Sequence, residues 1–319
     1  MVKPSSMSET SASAPPGPIW LNLVAPDEAE IARVEQATGT SLPRPDDLRQ
    51  IKPSSRLMFE NGALRLVAPM IVLEETDHPD LIRVGFVLTR ERLITVRYKA
   101  PEVFHGPTGD ELPADAQALT STAAFVCLLQ GFAARQADLL EAARGRLNTM
   151  SHGVFRVHAS RGARAKRSNA AMREKMNELG RLGERATMVR DSLLAMQRMI
   201  PFALDVAGDW FTDQEKAQLQ TVRGDIEALT LFEEHLLEKQ QFLLDAILGF
   251  INIEQNDIFK VLTIASVVGI FPTLVAGWYG MNFHNMPEYG WAYGYQFGIG
   301  TIVVSTVIPL LWFKWRGWL

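Results

Sequence analysis

The chain has 319 residues, a formal net charge of -4 and a hydrophobic fraction of 47%. That mild acidity argues against nucleic acid as the main partner. One cysteine, Cys127, excludes an intrachain disulfide and fits a reducing compartment.

In chain order, residues 1–18 are rich in Ser, Pro and Ala and have no apolar core, so a disordered leader rather than a secretory signal is expected. Residues 19–212 read as a cytoplasmic α/β domain: a mostly antiparallel sheet, then helices. Ile19 to Leu23 is a strand. Asp27 to Thr38 has helical spacing at Ile31 and Val34, with Pro26 at its entry. Pro43 and Pro45 break the chain. Four apolar or period-two runs follow, at 56–59, 63–73, 81–88 and 93–98. Asn61-Gly62 is a hairpin signal because both residues tolerate positive φ. Residues 89–92 form another turn. Helical patterning then covers 123–147 and 170–199, with basic residues Arg161, Arg164, Lys166 and Arg167 between them. His152 and His158 are six apart, off a shared helical face, and with no cysteine pair a tight zinc site is not expected. Pro201 and Gly208 separate the second helix from a third. Thr212 and Glu215 form a capping box for that third helix. It continues to Tyr279 with no proline before Pro272. At 1.5 Å per residue it would be about 100 Å long.

Two runs near the end are free of Asp, Glu, Lys and Arg: Val261 to Phe283, and Tyr289 to Phe313. Each is long enough to cross a bilayer. The expected segments are therefore 213–260, the cytoplasmic part of the long helix; 261–283, a first span; 284–288, an external loop; 289–313, a second span; and 314–319, a cytoplasmic tail. The loop has Glu288 but no Lys or Arg, whereas Lys260, Lys314 and Arg316 flank the spans. The positive-inside rule puts both termini in the cytoplasm of a plasma or inner membrane protein. Gly290, Gly294 and Gly298 suit an outer helix packed on the first, and Pro309 would kink its inner half.

Steps of four and three along the long helix pick out one stripe. It holds Asp245, Gly249, Asn252, Asn256, Phe259, Thr263, Ser266, Ile270, Thr273, Gly277 and Gly280. Polar residues in a span face a bundle interior or water rather than lipid. A 3.5-residue seam implies parallel copies around one axis. The stripe thus reads as a pore lining, with Leu262, Phe259 and Ile270 as apolar rings able to exclude water. The plainer reading is that small polar residues let helices pack closely. Eight acids between 225 and 257 (Asp225, Glu227, Glu233, Glu234, Glu238, Asp245, Glu254 and Asp257) face one base, Lys239. They read either as a solvated helix face or as a cation-attracting vestibule.

Tyr279-Gly280-Met281-Asn282-Phe283, followed by Met286-Pro287-Glu288, resembles the signature of the CorA family of divalent-cation transporters. The resemblance is sharpest over 245–319. It implies an oligomeric funnel, a homopentamer, in which Gly280, Met281 and Asn282 form the external selectivity filter. It also implies Mg2+ as the transported ion and as a regulatory one, with Co2+ and Ni2+ as further cargo. No resident cofactor is expected. Mg2+ gives up water reluctantly and prefers octahedral oxygen. A ring of neutral Asn282 amides can hold that hydrated ion without trapping it. Glu288 reads either as a solvated loop residue or as one that concentrates cations at the mouth, and Asp245 would meet the ion near the inner end. Many relatives end in a run of lysines. This chain has only Lys314 and Arg316, among Trp312, Trp315 and Trp318. A zinc transporter of the same superfamily is the nearer rival. A non-conducting, membrane-anchored helical scaffold is the farther one. No phosphate-binding glycine loop, nucleophile elbow or His-metal motif points to an enzyme.

Overall fold

The computed structural model describes residues 19–49, 56–73, 79–98, 120–159, 165–281 and 286–318. The leader 1–18, Arg161 and Arg164, and the stretch Asn282 to Asn285 lie outside the described residues, as do the side chains of Lys166 and Arg167. The chain divides into two units: residues up to 153 with 177–242, and 154–176 with 243 onward.

In the first unit, β1 (Trp20–Val24), β2 (Leu57–Glu60), β3 (Ala63–Leu73), β4 (Pro79–Leu88) and β5 (Leu93–Arg97) form one sheet in the order β1-β5-β4-β3-β2. The three neighbouring pairs from β2 to β5 are antiparallel, and β1 joins β5 in parallel. Asn61 and Gly62 take φ of 52 and 73, the two left-handed residues that a two-residue hairpin requires. Thr89 and Arg92 close the next turn with a 2.9 Å backbone bond.

Helices cover both sheet faces. On one, α1 (Glu28–Thr38) is capped by Asp27, whose carboxylate accepts the Glu30 N–H at 2.6 Å. Its Ile31 joins Leu23, Leu42, Val87, Ile94 and Val96 in a buried cluster. Pro45, expected only to interrupt the chain, instead opens a short helix, α2 (Pro45–Arg49). A first-turn proline loses no helical bond, and Asp47 accepts the Arg44 N–H at 2.8 Å. This segment lies so close to the sheet that a Cβ on Gly85 would sit 2.7 Å from the Pro43 ring. On the other face, Phe86 meets Phe125 and Phe132 edge-on, at 6.1 and 5.9 Å. Both rings belong to α3 (Ser121–Ala159). Truncating a fully buried ring such as Phe86 to alanine costs about 3–5 kcal/mol.

α4 (Ala165–Ala207) runs straight through Pro201, correcting the expected break there. Met199, Ile200 and Ala203 are all fully buried around it. Their packing outweighs the missing backbone bond. α5 (Asp213–Tyr279) starts at the expected box: Thr212 Oγ1 accepts the Glu215 N–H at 3.3 Å, and Glu215 Oε2 accepts the Thr212 N–H at 2.7 Å. Glu215 also accepts from the hydroxyls of Thr120 and Thr122, at 3.1 and 2.9 Å, tying α5 to the start of α3.

The second unit contains the outer part of α5, a 3-10 turn at Pro287–Gly290 and α6 (Gly294–Trp315). The most apolar stretches of α5 and α6 are long enough to span a bilayer, and only 6% of each is buried. A core helix of a soluble protein would be mostly covered, so these are membrane helices. Gly317 (φ 72) follows α6 in a left-handed turn. Phe313 is buried there, its ring stacked 5.5 Å from Trp318.

Candidate ion pathway

The outer part of α5 buries one side and leaves the other open. Leu243, Ile247, Phe250, Glu254, Ile264, Val268, Val275 and Tyr279 are buried or half-buried. Asp245, Gly249, Asn252, Asn256, Phe259, Thr263, Ser266, Ile270, Thr273, Gly277 and Gly280 are all exposed, and so is Leu262. The eleven stripe positions therefore share one open helix face.

The hydroxyls on that face have a fixed polarity. Thr263 donates to the Phe259 carbonyl and Thr273 to the Gly269 carbonyl, each at 2.7 Å. Their protons are used within the helix, so each oxygen presents acceptor lone pairs outward. An acceptor-rich face suits the hydrogens of a hydrated cation.

At its outer end α5 tightens. The Gly280 N–H reaches both the Ala276 and Gly277 carbonyls, at 2.9 and 3.2 Å, and the Met281 N–H reaches Trp278 O at 3.3 Å. A Cβ on Gly280 would lie 3.2 Å from the Ala276 carbonyl oxygen, a tight fit. Met281 is exposed, whereas Asn282 lies outside the described residues. Glu288 is half-buried in the 3-10 turn. It borders a cleft of about 550 Å³ that also touches Tyr279, Gly280, Trp291, Tyr295 and Ile302. No sequence pattern foretold this cleft, because its walls come from three short stretches. The three glycines also part company. Gly290 ends the 3-10 turn, ahead of α6. Gly294 lies so close to the Glu288 carbonyl that any side chain there would collide with it.

The eight acids do not form one open face. Glu233 is fully buried, with no hydrogen bond to either carboxylate oxygen and Arg190 4.0 Å away. Burial pushes its carboxyl up, and Arg190 pulls it part of the way back. Glu254 is half-buried on the side opposite the stripe. Glu227, Glu234 and Asp257 pair with Arg223, Arg190 and Lys260, at 3.1, 3.3 and 2.9 Å. The simple solvated-face reading fails at Glu233. Its position, seven residues after Ile226 and three before Leu236, was the available signal, since both are buried.

α6 shows a different exposed surface. Its half-buried side holds Gly298, Thr301, Ile302, Ser305, Thr306 and Pro309. Ile299, Val303, Val304, Val307, Ile308 and Leu311 are exposed. The last turn is aromatic: the Arg316 guanidinium lies 5.4 Å over the Trp312 ring, and Trp315 is 83% exposed. Trp and Arg together suit a headgroup interface.

A family profile described as CorA-like Mg2+ transporter protein matches residues 16–315. The magnesium transport protein CorA of Salmonella typhimurium is 31% identical over 304 residues, covering 94% of this chain and 92% of that one. The protein of the same name in Escherichia coli K12 shows the same identity and coverage. The complete CorA magnesium transporter structure from Methanocaldococcus jannaschii aligns over 94% of this chain and 91% of its own, at 17% identity and a TM-score of 0.74. The ZntB cytoplasmic domain of Vibrio parahaemolyticus aligns over 73% of this chain and 87% of its own, at 12% identity and a TM-score of 0.50. At such identities the two structures speak for the fold alone.

Proposed function

The chain belongs to the CorA-like Mg2+ transporter family, and from that premise we propose that it is a channel-type transporter for hydrated divalent cations, Mg2+ foremost, driven by the membrane potential. The observation that carries this reading is the exposure of every stripe position on α5 from Asp245 to Gly280, just before Met281 and Asn282 in the sequence. Several copies, five by family resemblance, surround one axis with these faces inward. Asn282 amide oxygens accept hydrogen bonds from the water around the ion and leave its inner shell in place. Gly280 and Met281 hold the turn that presents them. Asn252, Asn256, Thr263, Ser266 and Thr273 continue the acceptor path, and Gly249 and Gly277 leave it room. Phe259, Leu262 and Ile270 form rings that close by dewetting. Glu288 raises the cation concentration outside, and Asp245 receives the ion inside.

Both termini lie in the cytoplasm, on the side of Lys260, Lys314 and Arg316. Cytoplasmic divalent ions close the path, and Co2+ and Ni2+ pass with Mg2+ because their size and hydration are similar. The names of the 31%-identical relatives support Mg2+ over Zn2+. Flux into proteoliposomes loaded with metal-sensing dyes tests the choice. Mg2+ uptake that Asn282→Ala abolishes is expected. Zn2+ uptake without Mg2+ uptake supports the zinc reading, and unchanged uptake by a folded Asn282→Ala oligomer removes the filter.

A further inference from the structure

In the first unit a cleft of about 280 Å³ opens between the sheet and α4. Asp191, Leu194 and Arg198 line one wall at positions i, i+3 and i+7, a single helix face. Arg56 and Arg83 line the strand wall, and Leu81 and Leu194 make part of it apolar. Three arginines and one aspartate thus line one small space, in a chain whose net charge is -4. Among the described residues, the side chains of Arg83, Arg198 and Asp191 make no hydrogen bond or ion pair, although they border the same cleft.

Arg83 is half-buried, and a partly desolvated cation without a partner is unfavourable. Apolar walls strengthen the field of such a group on anything that enters. The planar fork of arginine matches two oxygens of one phosphate, and separate arginines can hold successive phosphates. The volume is small for a whole nucleotide but adequate for a phosphate chain. A free polyanion would be repelled by Asp191. A chelated divalent cation removes that repulsion and gives the carboxylate hydrated metal to bond.

We infer that this cleft binds the phosphate chain of a polyphosphate as its Mg2+ chelate, with Arg56, Arg83 and Arg198 on the phosphates and Asp191 beside the metal. It is a binding site distinct from the conduction stripe, and its test needs no flux.

The full-length protein in detergent is titrated calorimetrically with tripolyphosphate, with ATP and with adenosine, at fixed free Mg2+ and again in EDTA. Tripolyphosphate and ATP should bind alike and adenosine not at all. Binding should be about tenfold tighter with Mg2+ than in EDTA. Arg198→Gln, at an exposed helix position, should weaken binding about tenfold without changing the melting temperature. Arg83→Gln should act in the same direction. Asp191→Asn should erase the preference for the chelate while retaining the affinity for free tripolyphosphate. No binding at millimolar ligand, binding of ATP but not tripolyphosphate, or affinity unchanged in both arginine variants would overturn the assignment.

Discussion

α5 and α6 both carry apolar stretches, of mean hydropathy 2.1 and 1.7, and both stretches are almost entirely uncovered within one chain. They differ in what the open side carries. On α6 it holds Ile299, Val303, Val304, Val307, Ile308 and Leu311. On α5 it includes Thr263, Ser266 and Thr273 in one line, beside Leu262 and Ile270. Hydrocarbon satisfies the first surface. It satisfies the second less well, because the outward lone pairs of Thr263 and Thr273, whose protons are used within the helix, would find no donor there. Overall hydrophobicity therefore does not distinguish a lipid-facing helix from a path-facing one, whereas the arc on which polar atoms sit does.

A charge placed on each open face should sharpen this contrast most. Thr263→Lys should leave the protein inserted and oligomeric but reduce Mg2+ flux to background, since a cation now sits in a cation path. Val307→Lys should act on insertion instead, with a penalty of about 2.5–3.5 kcal/mol and reduced membrane yield. If Thr263→Lys failed to insert and Val307→Lys conducted normally, the two faces would have been assigned the wrong way round.

A smaller effect is expected where the two helices are joined. Gly294→Ala forces a methyl group against the Glu288 carbonyl, and should cost about 1–3 kcal/mol, read as a lowered melting temperature in detergent. Gly300→Ala should be nearly silent, because nothing lies within 4 Å of the position.

The smallest effects concern the base of α5, which hides carboxylates where the outer stretch exposes polar groups. Burial alone would push the Glu215 carboxyl up. The Thr212 N–H and the hydroxyls of Thr122, Thr212 and Thr120 hold it below its ordinary value of 4.5. The unfolded chain therefore takes up this proton first as pH falls. The stabilisation is complete above 4.5 and is lost towards the lower folded value. Glu233 has the opposite sign. Its folded value is raised, so the folded protein keeps a proton that the unfolded chain has released. Stability falls as pH rises from 4.5 through that raised value. Melting curves across pH should show Glu215→Gln flattening the acid limb and Glu233→Gln flattening the limb above it. Glu215→Ala should also cost about 1–2 kcal/mol through the lost cap.

Much of this architecture was legible in the residues. Alternating apolar runs and Asn61-Gly62 located the antiparallel strands. The reciprocal Thr212–Glu215 box, with no proline before Pro272, located a 67-residue helix. Its 4–3 spacing put the whole stripe on one side. What escaped depended on tertiary context. Pro45 and Pro201 look alike as breakers in sequence, yet one starts a helix and the other is carried inside one by buried neighbours. The parallel docking of β1 on β5 joins positions about seventy residues apart. The burial of Glu233 and the gathering of Arg56, Arg83 and Arg198 around one cleft likewise depend on packing between distant segments.

Cysteine accessibility in intact membranes tests the central contrast most directly. In a Cys127→Ser background, Ser266→Cys and Thr273→Cys on α5, and Val303→Cys and Val307→Cys on α6, would be exposed to a charged, membrane-impermeant thiol reagent during Mg2+ uptake. The two α5 positions should react and uptake should stop, while the two α6 positions stay unlabelled and uptake continues. Labelling confined to α6, or continued uptake through fully modified α5 cysteines, would contradict a water-filled path along the open face of α5.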